Sequence, residues 1–164
     1  MLITNEIFSV LGLIVSVCTL CVAQQALGTW RNQFKHQEQH RSLLNAEECF
    51  KKYCASEEKL RVECIKMRSK QGVDFIFPIG DADLRNIKQR EYQRSLDELV
   101  ITYPKFVRKN VSLAPDELSK LYIETIREIH SDTFNPCNSN FYNMHEYNLK
   151  RGVAAFHKYR AKLS

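Results

Sequence analysis

At 164 residues the chain has room for one domain but not comfortably for two. Its composition, 44% hydrophobic and 26% charged, is ordinary for a globular protein, with no repeat or low-complexity tract. Charge is unevenly placed: residues 1–30 hold one acid, Glu6, and no base, whereas residues 31–164 hold 24 bases against 18 acids, a net of +6.

Ile7 to Leu27 carries no charge, and eleven of its 21 residues are Ile, Leu, Val or Phe. At about 1.5 Å per residue a helix over this run spans roughly 31 Å, the thickness of a bilayer's hydrocarbon core. Its polar residues are small (Ser9, Ser16, Thr19) or stand at the far end (Gln24, Gln25). A buried core helix would be amphipathic, whereas this run is apolar nearly all round. A secretory signal would place bases ahead of the apolar stretch, whereas here Arg31, Lys35 and Arg41 follow it, although Val22, Ala23 and Ala26 offer small residues of the kind a cleavage site needs. The reading is a single membrane span. The bases that follow it predict that the N-terminal side lies outside and residues from about Trp30 onward lie in the cytoplasm. Trp30 and Arg31 are the expected interfacial anchor. The expected division is a membrane anchor over residues 1–29 and a helical cytoplasmic domain over residues 30–164.

Within the span, Ser9, Gly12, Ser16, Thr19, Ala23 and Ala26 recur in steps of three and four, and Trp30 continues the series. One stripe of small residues lets helix backbones approach closely in lipid, so this stripe is the expected self-association face. Cys18 and Cys21 lie in the span as small apolar residues despite their formal C-x-x-C spacing. Cys49, Cys54, Cys64 and Cys137 form neither a disulfide framework nor a zinc pattern and are expected to be reduced thiols.

Trp30 to about Lys70 has no Pro or Gly and predicts one long helix, continuous with the span. Leu43, Ala46, Phe50, Tyr53, Leu60, Cys64 and Met67 follow heptad steps, with Glu57 in the single gap, as in a coiled coil. Lys35 to Ser42 is almost wholly polar and reads as a solvated stalk. Gly72 stops the helix. Val73 to Ile79, broken by Pro78, reads as extended chain. Asp81 or Asp83 is the expected cap of a second helix, about Leu84 to Tyr103, with Leu84, Ile87, Leu96, Leu99 and Val100 inward. Pro104 ends it. Pro115, followed by Asp116 and Glu117, opens a third helix with Leu118, Leu121, Tyr122, Ile126 and Ile129 inward.

Ser131 to Asn140 reads as a loop. A last helix, about Phe141 to Lys162, carries the stripe Tyr142, His145, Leu149, Gly152, Phe156, Tyr159 and Leu163, which should pack on the stripe from Leu43 to Met67. Lys150, Arg151, Lys158, Arg160 and Lys162 form its basic surface, suited to solvent or to anionic lipid, with nucleic acid the weaker match. The predicted fold class is all-α: a transmembrane helix, a long helix and a bundle of about four helices.

The residues that carry chemistry elsewhere are sparse. His36 and His40 share a helix face but lack the acid that a metalloprotease helix needs, and no metal or cofactor is expected. His130-Ser131-Asp132 has triad residue types in the wrong arrangement, since triads are adjacent in space rather than in sequence. Asp81-Ala82-Asp83 suits helix capping better than a cation. Asn110-Val111-Ser112 is a glycosylation sequon without consequence in the cytoplasm.

Arg31-Asn32-Gln33-Phe34-Lys35-His36 resembles the Arg-polar-x-x-x-His motif of the HEPN ribonucleases, an all-helical dimeric family in which the Arg and His act on an RNA phosphodiester. Arg151 to His157 is a looser match, with Gly152 where the family has a polar residue. Residues 1–70, with Trp30-Arg31-Asn32-Gln33 after the span, are similar to small uncharacterised bacterial and prophage single-span proteins. That resemblance implies a bacterial inner membrane and a part in phage–host conflict. Three functional readings follow. The first is a membrane-tethered interaction or adaptor protein, self-associating or bound to a protein partner. The second is an effector whose assembled spans perturb the bilayer. The third is an anchored ribonuclease.

Overall fold

The computed structural model describes residues 2–132, 134 and 139–163, with side chains described over 11–132, 134 and 146–163. The described residues are helical, with no strand among them. α1 is Leu2–Gln71, α2 Ile79–Thr102, α3 Pro104–Lys109, α4 Pro115–Ile129 and α5 Ser139–Arg160, with a 3₁₀ turn at Val111–Leu113 between α3 and α4. The chain divides into two units, Met1–Glu38 and Gln39–Ser164.

In the first unit the side chains from Leu11 to Glu38 are exposed on every face of the helix. This is the one helix among the described residues long and apolar enough to cross a membrane. Leu13, Val15, Leu20, Val22 and Leu27 are each more than 60% exposed, although their chemistry disfavours water. The described hydroxyls within the apolar stretch are satisfied locally: Ser16 Oγ donates to Gly12 O and Thr19 Oγ1 to Val15 O, both at 2.8 Å.

In the second unit α1 buries the heptad seam read from its sequence. Leu43, Ala46, Phe50, Tyr53, Leu60 and Cys64 are buried, Glu57 among them, and Met67 is half-buried. The solvated stalk is shorter than its polar sequence predicts. Gln39 and His40 are half-buried and Ser42 is buried, because α2 ends beside them: Gln39 Nε2 donates to Thr102 O at 2.9 Å and Ser42 Oγ to Glu98 at 3.0 Å. α1 ends at Gly72, whose φ of 79° suits glycine and whose amide caps Arg68 O at 2.8 Å.

α2 departs from its expected course in two ways. It begins at Ile79, after Pro78, so neither Asp81 nor Asp83 caps it; Asp81 sits in the first turn and pairs with Lys59 at 2.8 Å. Its inner face is Arg85, Tyr92, Ser95, Leu96 and Leu99, leaving Leu84, Ile87 and Val100 exposed. Burial of Arg85 turns the helix, since the guanidinium finds its partners on α1 and α4.

α3 and the 3₁₀ turn occupy a stretch for which no element was expected. Phe106 anchors α3 by stacking on Phe156, with centroids 4.7 Å apart, and by meeting Tyr159 edge-on. Tyr92 donates from its buried hydroxyl to Leu113 O at 2.8 Å, which pins the 3₁₀ turn. α4 has the expected inner face, with Leu118 and Ile129 buried and Leu121, Tyr122 and Ile126 half-buried. Arg68 donates to the carbonyls of Ile129 and Ser131, satisfying the C-terminal end of α4 from α1.

α5 packs along α1 as the paired stripes predict. Phe156 is buried 5.8 Å from Phe50, centroid to centroid, Tyr159 is buried, and Leu149 and Leu163 are half-buried. Tyr142 and His145 fall outside the described side chains. Two apolar clusters result, one around Phe50, Tyr92, Phe106 and Phe156 and a smaller one around Leu60, Cys64, Phe75 and Ile129.

Candidate functional site

The small-residue stripe lies wholly on exposed helix from Gly12 through Ser16, Thr19, Ala23 and Ala26; the side chain of Ser9 is outside the described set. A Cβ placed on Gly12 would meet nothing within 4 Å. Trp30 is exposed and stacks on Phe34 at 5.9 Å, beside exposed Arg31.

The basic surface of α5 is only partly available. Lys150 pairs with Glu146 at 2.7 Å, Arg160 with Glu47 at 3.0 Å, and Arg151 donates to Ser112 Oγ. Lys158 and Lys162 are exposed, and Lys162 Nζ sits 5.1 Å from the centre of the Tyr159 ring. Glu47, which supplies the countercharge from α1, also takes Lys51 at 2.6 Å and His157 at 3.2 Å. Burial pushes the Glu47 carboxyl up, but Lys51, Arg160 and His157 together outweigh it, and the group lies below the usual carboxylate range.

The two ribonuclease-like motifs are not assembled as catalytic pairs within the chain. Arg31 and His36 are both exposed on the helix. Arg151 faces Ser112 while His157 faces Glu47, so the looser match has its two residues engaged in different directions. His130 stacks on Phe75 with centroids 4.3 Å apart, which removes it from the His130-Ser131-Asp132 reading. His36 is exposed and His40 half-buried.

A polar cluster that no sequence motif announces lies inside the second unit. Glu57 fills the gap in the apolar seam of α1, and Arg85 reaches it from α2. Arg85 Nη2 donates to Glu57 Oε1 at 3.0 Å, to Tyr53 Oη at 3.0 Å and to Ser119 Oγ at 2.7 Å. Its Nη1 donates to Gln89 at 2.5 Å, and the guanidinium lies 4.5 Å from the centre of the Tyr122 ring. Tyr53 donates its hydroxyl to Glu57 Oε1. The cluster therefore ties α1, α2 and α4 together. Burial pushes the Glu57 carboxyl up, and the Tyr53 hydroxyl and Arg85 offset this only in part. Arg85 Nε and the Tyr122 hydroxyl are buried with no hydrogen-bond partner among the described residues. Glu57 was visible in the sequence as the one charged residue in a heptad seam. Arg85 was not, since its partners on α1 and α4 are 28 and more residues away.

Buried thiols complete the interior. Burial pushes the Cys64 thiol up to about 11 and the Cys54 thiol further, so both stay protonated and unreactive.

Comparison with protein-family models, with curated proteins and with solved structures found no match for this chain.

Proposed function

We propose that the chain is a membrane-tethered helical interaction protein that self-associates through its span. The observation that carries this reading is the first unit: a helix with large aliphatic side chains exposed on all its faces, its described hydroxyls satisfied internally. Such a surface is stable in lipid, where every backbone polar group must be satisfied within the segment. The bases after the span, Arg31, Lys35 and Arg41, favour a cytoplasmic location for the second unit. The setting we propose, on the resemblance read from the sequence of residues 1–70 alone, is a bacterial inner membrane and phage–host conflict.

The second unit is proposed to be an antiparallel helical bundle that presents a partner-binding surface. Contacts between helices support the arrangement. α2 meets α1 through Gln39 with Thr102, Glu57 with Arg85 and Lys59 with Asp81, and α5 meets it through Glu47 with Arg160. α1 residue numbers rise as those of the partner helix fall.

Self-association is proposed along Ser9, Gly12, Ser16, Thr19, Ala23 and Ala26. Close backbone approach lets dispersion act between helices in lipid, where there is no hydrophobic driving force to do so. Gly12→Leu and Ser16→Leu should weaken a membrane two-hybrid signal, whereas Leu13→Ala should leave it intact. Equal loss from all three would refute a specific face. A chain released from membranes by an alkaline wash would refute the span itself. Leakage of small solutes from expressing cells would favour the bilayer-perturbing effector over the adaptor.

A further inference from the structure

α3 is six residues long, and all three of its bases are exposed. Phe106 is buried and anchors the helix, while Lys105, Arg108 and Lys109 are exposed. None of the three has an ion pair among the described residues. The last turn of α5 packs beside α3, with Tyr159 5.2 Å from Phe106 and 5.7 Å from Tyr103; it carries exposed Lys158, and exposed Lys162 follows in the turn after it. The corner between α2 and α3 also exposes Ile101, at 84% the most exposed large aliphatic residue described.

These residues share one end of the second unit. Thr102 sits on Gln39, the first residue of that unit, and Glu47 on Arg160. Of the acids there, Glu47 pairs with Lys51, His157 and Arg160, while exposed Glu98 accepts from the Ser42 hydroxyl and exposed Asp97 from the Gln93 amide, so the bases outnumber the acids left without an ion pair among the described residues. The end of the unit at which the chain arrives from the apolar segment is thus a cluster of five free bases beside one exposed isoleucine.

We propose that this end, formed by Ile101, Lys105, Arg108, Lys109, Lys158 and Lys162, docks on the anionic headgroups of the bilayer that holds the span. The inference rests on the membrane-spanning reading above. Charge complementarity selects an anionic surface, and the exposed isoleucine suits the headgroup boundary, which accepts a partly buried aliphatic side chain. Only eight residues separate Trp30 from Gln39, so the tether holds the unit at high effective concentration beside the membrane. Each base brought near an anionic surface raises the docking equilibrium constant about fivefold, and the effect falls off within a Debye length as salt increases. Lys158 and Lys162 of the basic surface read from the C-terminal helix are thus joined here by the bases of α3, while Lys150 and Arg160 are ion-paired.

The test uses the full chain reconstituted in nanodiscs of phosphatidylcholine or of phosphatidylcholine with phosphatidylglycerol. Amide hydrogen exchange is followed over residues 102–109 and 158–163. Exchange there should be at least about fivefold slower in the anionic discs at low salt. The difference should disappear at high salt and in the variant K105Q/R108Q/K109Q/K158Q/K162Q, but persist in K70Q. These five lysines and arginines are exposed, so the fold tolerates their change. Equal exchange in the two kinds of disc, with the chain incorporated in both, overturns the docking proposal and leaves the span intact. Failure of the chain to incorporate overturns the span reading and the docking with it. Slowing by an added RNA oligonucleotide in neutral discs, without slowing by phosphatidylglycerol, overturns the proposal in favour of nucleic acid.

Discussion

Gly152 of α5 stands directly against the ring of Phe50 of α1. A Cβ built on Gly152 would collide with Phe50 Cε1 and Cζ and lie 3.3 Å from Cε2. Phe50 is itself hemmed in by Tyr92 at 5.4 Å and Phe156 at 5.8 Å, centroid to centroid. Helix propensity alone would make Gly152→Ala stabilising by about 1 kcal/mol. Overpacking costs about 1–3 kcal/mol and should win here, because the ring has no room to retreat. Thermal unfolding of the detergent-solubilised chain should show a lower Tm for Gly152→Ala. Phe50→Leu should cost stability in the parent but less in the Gly152→Ala background.

The Glu57–Arg85 pair is buried and serves three helices at once. Removing one member strands the other, and such losses run to about 3–5 kcal/mol. Arg85→Met and Glu57→Leu should each destabilise strongly in denaturant unfolding. The double variant should recover much of the loss, since it also removes the buried, unpaired Arg85 Nε. Strictly additive losses would show that the two side chains are not coupled.

Acid should release Glu47. Its carboxyl lies below its ordinary value of 4.5 in the folded chain, despite burial, because Lys51, Arg160 and His157 surround it. A depressed carboxylate contributes stability that is present above its unfolded pKa and lost as pH falls through the folded one. Glu47→Gln should therefore be about 1–2 kcal/mol less stable than the parent at neutral pH, with the gap closing below about pH 4.5. Glu57 runs the other way. Its raised pKa gives a contribution that is complete below the ordinary carboxylate value and is lost as pH rises through the raised one. Unfolding curves across the acid range for the Glu47→Gln and Glu57→Gln variants should separate the two.

The rotated face of α2 makes a direct contrast between neighbours. Leu99 is fully buried, and Val100 is half exposed although its position suggested an inward one. Leu99→Ala should cost about 2–5 kcal/mol. Val100→Ala should stay within about 0.5 kcal/mol, as surface changes do. Similar losses at both positions would restore the face read from periodicity.

The sequence by itself determined the features whose causes are local. The uncharged run from Ile7 to Leu27, the unbroken helix to Gly72, the breaks at Pro104 and Pro115 and the seam from Leu43 to Met67 all follow from backbone preference and side-chain period within one segment. The apolar stripe of α5 was legible for the same reason, including Gly152, although not why a glycine stands there. Only the tertiary structure decided which partner each face meets. Leu84, Ile87 and Val100 look as apolar as Leu96 and Leu99, and the choice between faces was made by Arg85, whose partners lie on α1 and α4. α3 is too short to show a period, and its place depends on Phe106 reaching Phe156, fifty residues on. The basic surface was read along one helix, and only the fold shows that Arg160 within it meets Glu47 across 113 residues. Periodicity reports what a segment prefers to bury; long-range pairing of polar groups decides what it buries, because a charge left unpaired in the interior costs more than an aliphatic side chain left in water.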